Sequence, residues 1–208
     1  VNPNQGAGSA CGKNMSKETT DTLGNQKKVN YALRADMTKE EFIKELLDGL
    51  TPPPAYFPQN VLMNIQGYES LDAVMSKAET PLHPKEFEAV ANQTDALILD
   101  VRNENDFVKE HIPGSIFIGL HGQFAPWVGS LIRDTKQPIL LITPEGKEVE
   151  TITRLSRVGF DNTLGFLLGG IEAWKAAGYE TDSIESISPE VFAAQYETAP
   201  VIDSRKPG

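Results

Sequence analysis

Apolar positions before residue 82 recur at helical spacing. Thr38 followed by Glu41 is the sequence signature of a capping box, and the helix that starts there carries Phe42 and Leu46 on one face. A second short helix is predicted for residues 58–66. The first part of the chain is therefore predicted to be mainly helical.

After residue 82 the pattern changes to short apolar runs that alternate with helical segments. Residues 96–101 and 138–142 are nearly continuous apolar runs of the kind that form buried parallel strands. Residues 115–119 and 163–167 predict two more strands. The helices predicted around them are 84–91, 104–111, 124–132, 146–158 and 171–177. Such alternation predicts an α/β fold, a parallel sheet with helices on both faces.

One sequence pattern occurs twice in the chain. Pro84 and Pro189 are each followed three residues later by phenylalanine, and each segment continues to an Asp-x-Arg triplet, which begins at Asp100 or Asp203. A repeat indicates one structural unit used twice. We therefore expect residues 182–208 to begin a second copy, and the chain to be a piece of a longer protein.

Composition and charge restrict the partners. The chain has 208 residues, of which 39% are hydrophobic, and no apolar run is long enough for a membrane span. The net charge of −10 would repel a phosphate backbone, so no nucleic-acid partner is expected. Cys11 is the only cysteine, which excludes an intrachain disulfide and favours a bacterial cytoplasmic location.

Residues 82–181 contain two groups of motif residues in a characteristic order. They are Asp100, Arg102, His111, Gly114, Gly169, Gly170 and Trp174. Their order resembles the opening and closing signatures of a rhodanese-like domain, and the resemblance implies a rhodanese-like fold over residues 82–181. We expect structural roles for these residues: a strand end held by an ion pair, a turn completed by the histidine, and a tryptophan in the core.

The loop after the second fully apolar strand departs from that family. Its residues are Thr143, Pro144, Glu145, Gly146, Lys147 and Glu148. The resemblance implies a persulfide-carrying cysteine at the first of these positions, where this chain has Thr143. A hydroxyl cannot carry a persulfide and is a poor nucleophile without an adjacent base. Glu145 and Glu148 add negative charge where a sulfur anion would bind.

We therefore expect a domain that is silent as a sulfurtransferase and serves as a scaffold or interaction domain. A second hypothesis treats residues 143–148 as an altered binding loop for a small ligand or a partner protein. A third treats the chain as part of an active enzyme whose chemistry resides in portions that the chain does not contain.

The beginning of the chain carries a second resemblance. The glycine-rich residues 6–14, with residues 22–24 and 52–57, resemble the C-terminal end of the metallo-β-lactamase-fold domain in persulfide dioxygenase–rhodanese fusion proteins. This resemblance implies that residues 1–66 are a remnant of that domain and that residues 67–81 are a connector to the rhodanese-like domain. It also implies that neighbouring domains of the same polypeptide are partners, and a homo-oligomer is a further expectation.

The same resemblance bears on cofactors. It implies Fe(II) in the intact parent, which would be a metal-dependent hydrolase-like persulfide dioxygenase. Gln5 stands where the family has a metal-ligating histidine, so no metal or other cofactor is expected in this chain. Cys11 is interpreted as a small residue in a tight turn, with a reactive thiol as the alternative.

Overall fold

The structure, a computed structural model, describes residues 20–49, 56–198 and 200–204. The chain divides into two units, residues 1–52 and residues 53–208. In the first unit, helix α1 spans Leu23–Val29, a 3₁₀ turn spans Tyr31–Leu33, and helix α2 spans Lys39–Leu47. The predicted capping box at the start of α2 is present, because Thr38 and Glu41 each accept a hydrogen bond from the other's main-chain N–H.

A parallel sheet forms the centre of the second unit. Its five described strands are β1 (Pro81–Leu82), β2 (Leu97–Asp100), β3 (Ile116–Phe117), β4 (Ile139–Ile142) and β5 (Thr163–Leu167). Their order across the sheet is β1-β5-β4-β2-β3, and every pairing is parallel. The predicted α/β fold with a parallel sheet is confirmed.

Helices lie on both faces of this sheet. The described helices of the second unit are α3 (Phe57–Gln66), α4 (Leu71–Ala78), α5 (Pro84–Thr94), α6 (Glu104–Lys109), α7 (Phe124–Leu131), α8 (Glu148–Ser156), α9 (Gly170–Ala176) and α10 (Pro189–Gln195), the last of which has no buried residue. Alternate residues of β4 belong to two separate core clusters, Ile139 and Leu141 to one and Leu140 and Ile142 to the other. Because successive side chains of a strand point to opposite faces, both faces are buried.

The segment interpreted as a connector is more ordered than its sequence pattern indicates. Within residues 67–81, Ser70 caps the start of α4, and Val74 and Ala78 are buried in the core. Strand β1 follows directly and pairs with β5. The domain boundaries, with residues 67–81 as a connector, stay a prediction, but the sequence pattern missed the helix and the strand that this segment contains. A helix of eight residues depends on tertiary packing, which the pattern does not reveal.

Of the residues predicted to begin a second copy of the repeat, the described ones contain one helix, α10. Helix α10 begins at Pro189 behind the cap of Ser188, as α5 begins at Pro84. Residues 200–204, which the repeat predicts to be strand-forming, are in no strand of the described structure. A strand needs hydrogen-bonding neighbours, which β2 finds in β3 and β4. Among the described residues, no helix combines the length and the apolar character needed to cross a membrane.

Candidate functional site

The loop between β4 and α8 lies at the carboxyl edge of the sheet, where open α/β folds place ligand-binding loops. Thr143 follows the last strand residue and is buried. A tight turn comes next, closed by the Lys147 N–H, which donates to the Pro144 carbonyl oxygen at 3.1 Å. Gly146 occupies this turn at φ +75°, a conformation that side chains rarely adopt. The turn delivers Glu148 to the first position of α8.

The Glu148 carboxylate folds back into the loop that precedes it. Its Oε1 accepts hydrogen bonds from the Thr143 hydroxyl at 3.1 Å and from the Gly146 N–H at 3.3 Å. Carboxylates are stabilised at helix N-termini because the N–H groups there carry partial positive charge. The loop thus directs donors at an anion, and that anion is the protein's own side chain.

Positive charge near the loop is directed elsewhere. The Lys147 ammonium donates to Glu150 at 2.9 Å, and the Arg154 guanidinium lies 3.5 Å from the same carboxylate. The hydrogen bond from Lys147 lowers the pKa of Glu150 below its ordinary value. Lys147 is therefore engaged along the helix rather than presented to the loop.

Asp100 and Arg102 form the most buried ion pair of the described chain. The Asp100 side chain is fully buried, and Arg102 donates to both of its carboxylate oxygens at 2.7–3.0 Å. The Arg102 main-chain N–H also donates to Asp100 Oδ1, and the guanidinium reaches the Glu110 carbonyl oxygen at 2.7 Å. These contacts join the end of β2 to the end of α6.

His111 directly follows Glu110, whose carbonyl oxygen accepts the hydrogen bond from Arg102. Its ring stacks on Phe107 at a centroid distance of 4.2 Å, and its Nδ1–H donates to the Phe107 carbonyl oxygen at 2.9 Å. Its main chain exchanges two hydrogen bonds with Asp182. Gly114 follows at φ +78°. These are contacts of a residue that holds a turn.

The closing motif shapes the start of α9. Gly169 and Gly170 both have positive φ, +75° and +59°. They place Trp174 in the core between Phe87, in an edge-on arrangement at 6.0 Å, and Tyr179, stacked at 4.4 Å. The indole N–H donates to the Glu180 carbonyl oxygen at 2.8 Å. A buried tryptophan with a satisfied N–H stabilises the domain.

Residues of the α/β part of the chain match a known family. The model of the rhodanese-like domain family matches residues 83–177. We refer to this matched stretch as the rhodanese-like domain, because it is similar to that family in sequence and in fold. Strands β2 to β5 lie within the matched residues, and β1 ends directly before them. A comparison with curated proteins found no match.

Solved structures include neighbours of two kinds. A metallo-beta-lactamase from Staphylococcus aureus subsp. aureus COL is 27% identical with a TM-score of 0.59, and the match covers 77% of this chain and 42% of that protein. A Rhodanese_3-like domain from Anabaena sp. is 23% identical with a TM-score of 0.41, covering 45% of this chain and 98% of that one. A thiosulfate sulfurtransferase from Pseudomonas aeruginosa is 18% identical with a TM-score of 0.43, covering 69% of this chain and 26% of that one.

The rhodanese-like domain brings the two motif groups to different places. The Asp100–Arg102 pair and the 143–148 loop share the carboxyl edge of the sheet, since each follows one of two adjacent paired strands. Trp174 lies in the core cluster on one face of the sheet. Gln5 and Cys11 lie outside the described residues. Among the residues that are described, no group of three His, Cys, Asp or Glu side chains is arranged to hold a metal.

One role in the rhodanese-like domain was missed by sequence reasoning. Glu148 was expected only to repel an anionic substrate, whereas it is the hydrogen-bonding partner of Thr143. The available signal was the spacing: a four-residue turn between a hydroxyl and a helix-initiating carboxylate brings the two together.

Proposed function

We propose that the rhodanese-like domain does not transfer sulfur itself and acts as a scaffold or interaction domain in a larger persulfide-metabolising protein of the sulfur dioxygenase type. The observation that carries this proposal is the hydrogen bond from the Thr143 hydroxyl to Glu148. It fills the loop in which the resemblance places a persulfide-carrying cysteine.

Two features of the loop support the absence of sulfurtransferase activity. A hydroxyl needs an efficient base to become a nucleophile, and a carboxylate is a weak base for an alcohol. An incoming sulfur anion would also meet the Glu148 carboxylate, which already accepts the Thr143 hydroxyl and the Gly146 N–H. The loop therefore lacks a sulfur atom to carry the persulfide, and the hydrogen-bond donors that would bind an incoming anion are already occupied by Glu148.

The place of the domain in a larger protein rests on two other observations. The similarity to the Staphylococcus aureus metallo-beta-lactamase covers 77% of this chain, which is more than the rhodanese-like stretch alone. In addition, Phe192 of α10 is 43% exposed, whereas Phe87, its counterpart in the repeat, is fully buried. A second rhodanese-like copy would cover Phe192, so the proposed partners are neighbouring domains of the same polypeptide.

The test is a thiosulfate-to-cyanide sulfurtransferase assay on the chain. We expect turnover at the level of the uncatalysed reaction. Turnover above that level, abolished in Thr143→Ala, would contradict the proposal. Activity that persists in Thr143→Ala but disappears in Cys11→Ala would place the chemistry outside this loop and would also contradict it.

The two obstacles can be separated by restoring the cysteine. We expect Thr143→Cys to accept sulfane sulfur poorly, and Thr143→Cys combined with Glu148→Gln to accept it better, because the second change removes the competing charge. The matched control combines Thr143→Cys with Glu172→Gln, which removes the same charge from an exposed residue of α9. Equal persulfide formation in both double variants, measured by intact mass, would show that Glu148 does not block anion binding in the 143–148 loop.

A second candidate function belongs to the whole parent protein. The similarity to the Staphylococcus aureus metallo-beta-lactamase favours a metal-dependent hydrolase or Fe(II) persulfide dioxygenase, with sulfur transfer in portions outside this chain. The described residues do not offer a ligand set for iron, so no step is derived through it. Metal analysis of this chain and of the parent tests the idea: stoichiometric iron in the parent alone is the expected result, and its absence from both would contradict it. The cytoplasmic location stays a prediction.

A further inference from the structure

Helix α3 is fixed to the second unit along one side. Tyr56, which precedes the first residue of α3, packs against the core, and a Cβ added at Gly129 would overlap its ring. Near the other end of the helix, a Cβ added at Gly159 would lie 3.0 Å from Met63 Sδ. The two glycines therefore let α3 lie close to the unit, and these contacts determine which side of the helix points outward.

The outward side of α3 is apolar. Phe57, Val61 and Ile65 follow one another at intervals of four residues and are 45%, 56% and 75% exposed, and Leu62 beside them is 47% exposed. We call these four residues the α3 face. Together they expose on the order of 400 Å², which is a large patch for one helix, since the largest apolar patch of a monomer is typically about 300–600 Å². A helix that is apolar on both sides is normally covered on both sides.

The α3 face also carries no charge. None of the ten residues of α3 is Asp, Glu, Lys or Arg. The chain as a whole has a net charge of −10, so two copies repel one another in most orientations. Two copies can approach closely only where neither presents unpaired acidic groups. Glu69, the first acidic residue after the helix, is paired with Lys77 at 2.6 Å.

We propose that the α3 face binds the α3 face of a second copy of this chain, in a symmetric dimer whose two α3 helices lie antiparallel. Val61 is midway between Phe57 and Ile65, so the two Val61 side chains meet at the two-fold axis and Phe57 of one copy packs on Ile65 of the other. The small central side chain lets the helices approach, and the larger ones interdigitate on either side. Closed two-fold pairing of one surface with itself is the commonest arrangement of soluble oligomers.

The size of the α3 face fits a small, specific dimer interface. About 60% of the area of a protein interface is apolar, so an apolar centre of about 400 Å² corresponds to roughly 650 Å² from each copy once its polar rim is included. Specific interfaces bury about 600 Å² or more from each partner. The proposal is independent of the proposed function, because the α3 face contains no residue of the 143–148 loop.

Sedimentation velocity of the full chain over a range of micromolar concentrations tests the proposal. We expect a concentration-dependent species with twice the mass of one chain. Val61→Asp should weaken the dimer at least about tenfold, because two carboxylates would meet at the axis. The matched control is Leu131→Asp: Leu131 is also 56% exposed, and it lines a cavity with Phe117 and Arg102 that shares no residue with the α3 face. This control should leave the dimer unchanged, and circular dichroism should show both variants folded.

Cross-linking tests the arrangement of the helices without adding charge. In a Cys11→Ser background, which removes the only cysteine, Val61→Cys should form a disulfide between two copies in oxidised glutathione, because the two Cβ atoms at position 61 lie close together at the axis. Leu131→Cys should not. A chain that is monomeric at high micromolar concentration would overturn the proposal, also where a neighbouring domain of a longer protein covers the α3 face instead. A dimer that is unchanged in Val61→Asp, or equal cross-linking at positions 61 and 131, would overturn it as well.

Discussion

The variant Arg102→Met tests the energetic role of the buried ion pair. The Asp100 side chain is fully buried, and the Arg102 side chain is 14% exposed. The substitution leaves the Asp100 carboxylate without its cation and the Glu110 carbonyl oxygen without a donor. Breaking a buried pair by removing one partner costs about 3–5 kcal/mol, mainly because the remaining charge stays desolvated. We therefore expect the free energy of unfolding to fall by that amount.

Urea denaturation followed by tryptophan fluorescence and by circular dichroism measures the loss. The control is the double variant Asp100→Asn with Arg102→Met, which removes both charges and keeps a side-chain oxygen to accept the main-chain N–H of position 102. It should recover much of the lost stability. A loss below about 1 kcal/mol in the single variant, or a double variant no more stable than the single one, would refute the reasoning.

Three further predictions follow from other contacts. Trp174→Ala should lower the free energy of unfolding by about 3–5 kcal/mol in urea denaturation, whereas the 58% exposed Trp127→Ala should cost about 1 kcal/mol or less; equal losses would contradict the assigned burial. Gly165→Ala should lower the melting temperature, because Gly165 has φ +148° and an added Cβ would lie 2.6 Å from the Thr80 carbonyl oxygen. An unchanged melting temperature would show that β1 can shift to make room for the methyl group. The hydrogen bond from Lys175 lowers the pKa of Glu110 in the folded state, so this pair stabilises the fold above the unfolded-state pKa of Glu110, and the stabilisation is lost as the pH falls through the folded-state pKa. The melting temperature of Lys175→Met should therefore depend less on pH below about pH 4.5 than that of the parent chain. Identical pH dependence in both proteins would exclude this coupling.

Local sequence patterns predicted much of the fold. The fully apolar residues 139–142 indicated a strand buried on both faces, and the structure confirms β4 at the centre of the sheet. The capping residues Thr38 and Glu41 predicted the start of α2. These features can be predicted from the sequence because residues that are near one another in the chain determine them. The weak helix α4 and the two-residue strand β1 were missed, since both form through contacts with distant elements.

The candidate site was predictable in composition but not in geometry. The sequence has a threonine at position 143 and acidic residues in the following turn, and the resemblance to rhodanese-like domains therefore predicts the loss of a sulfur carrier. That Glu148 turns back to accept the Thr143 hydroxyl depends on the turn at Gly146 and the start of α8.

By itself, the order of residues determined the α/β class, the strand-helix alternation and the chemical character of the loop, because each depends on local periodicity or on residue type. The tertiary structure decided which polar groups find partners. It paired Asp100 with Arg102 beside the Glu110 carbonyl, and among the described residues it left the buried Asn60 Oδ1 and Ser156 Oγ without a hydrogen-bonding partner. Burial and hydrogen-bond satisfaction depend on three-dimensional proximity, which no linear pattern specifies.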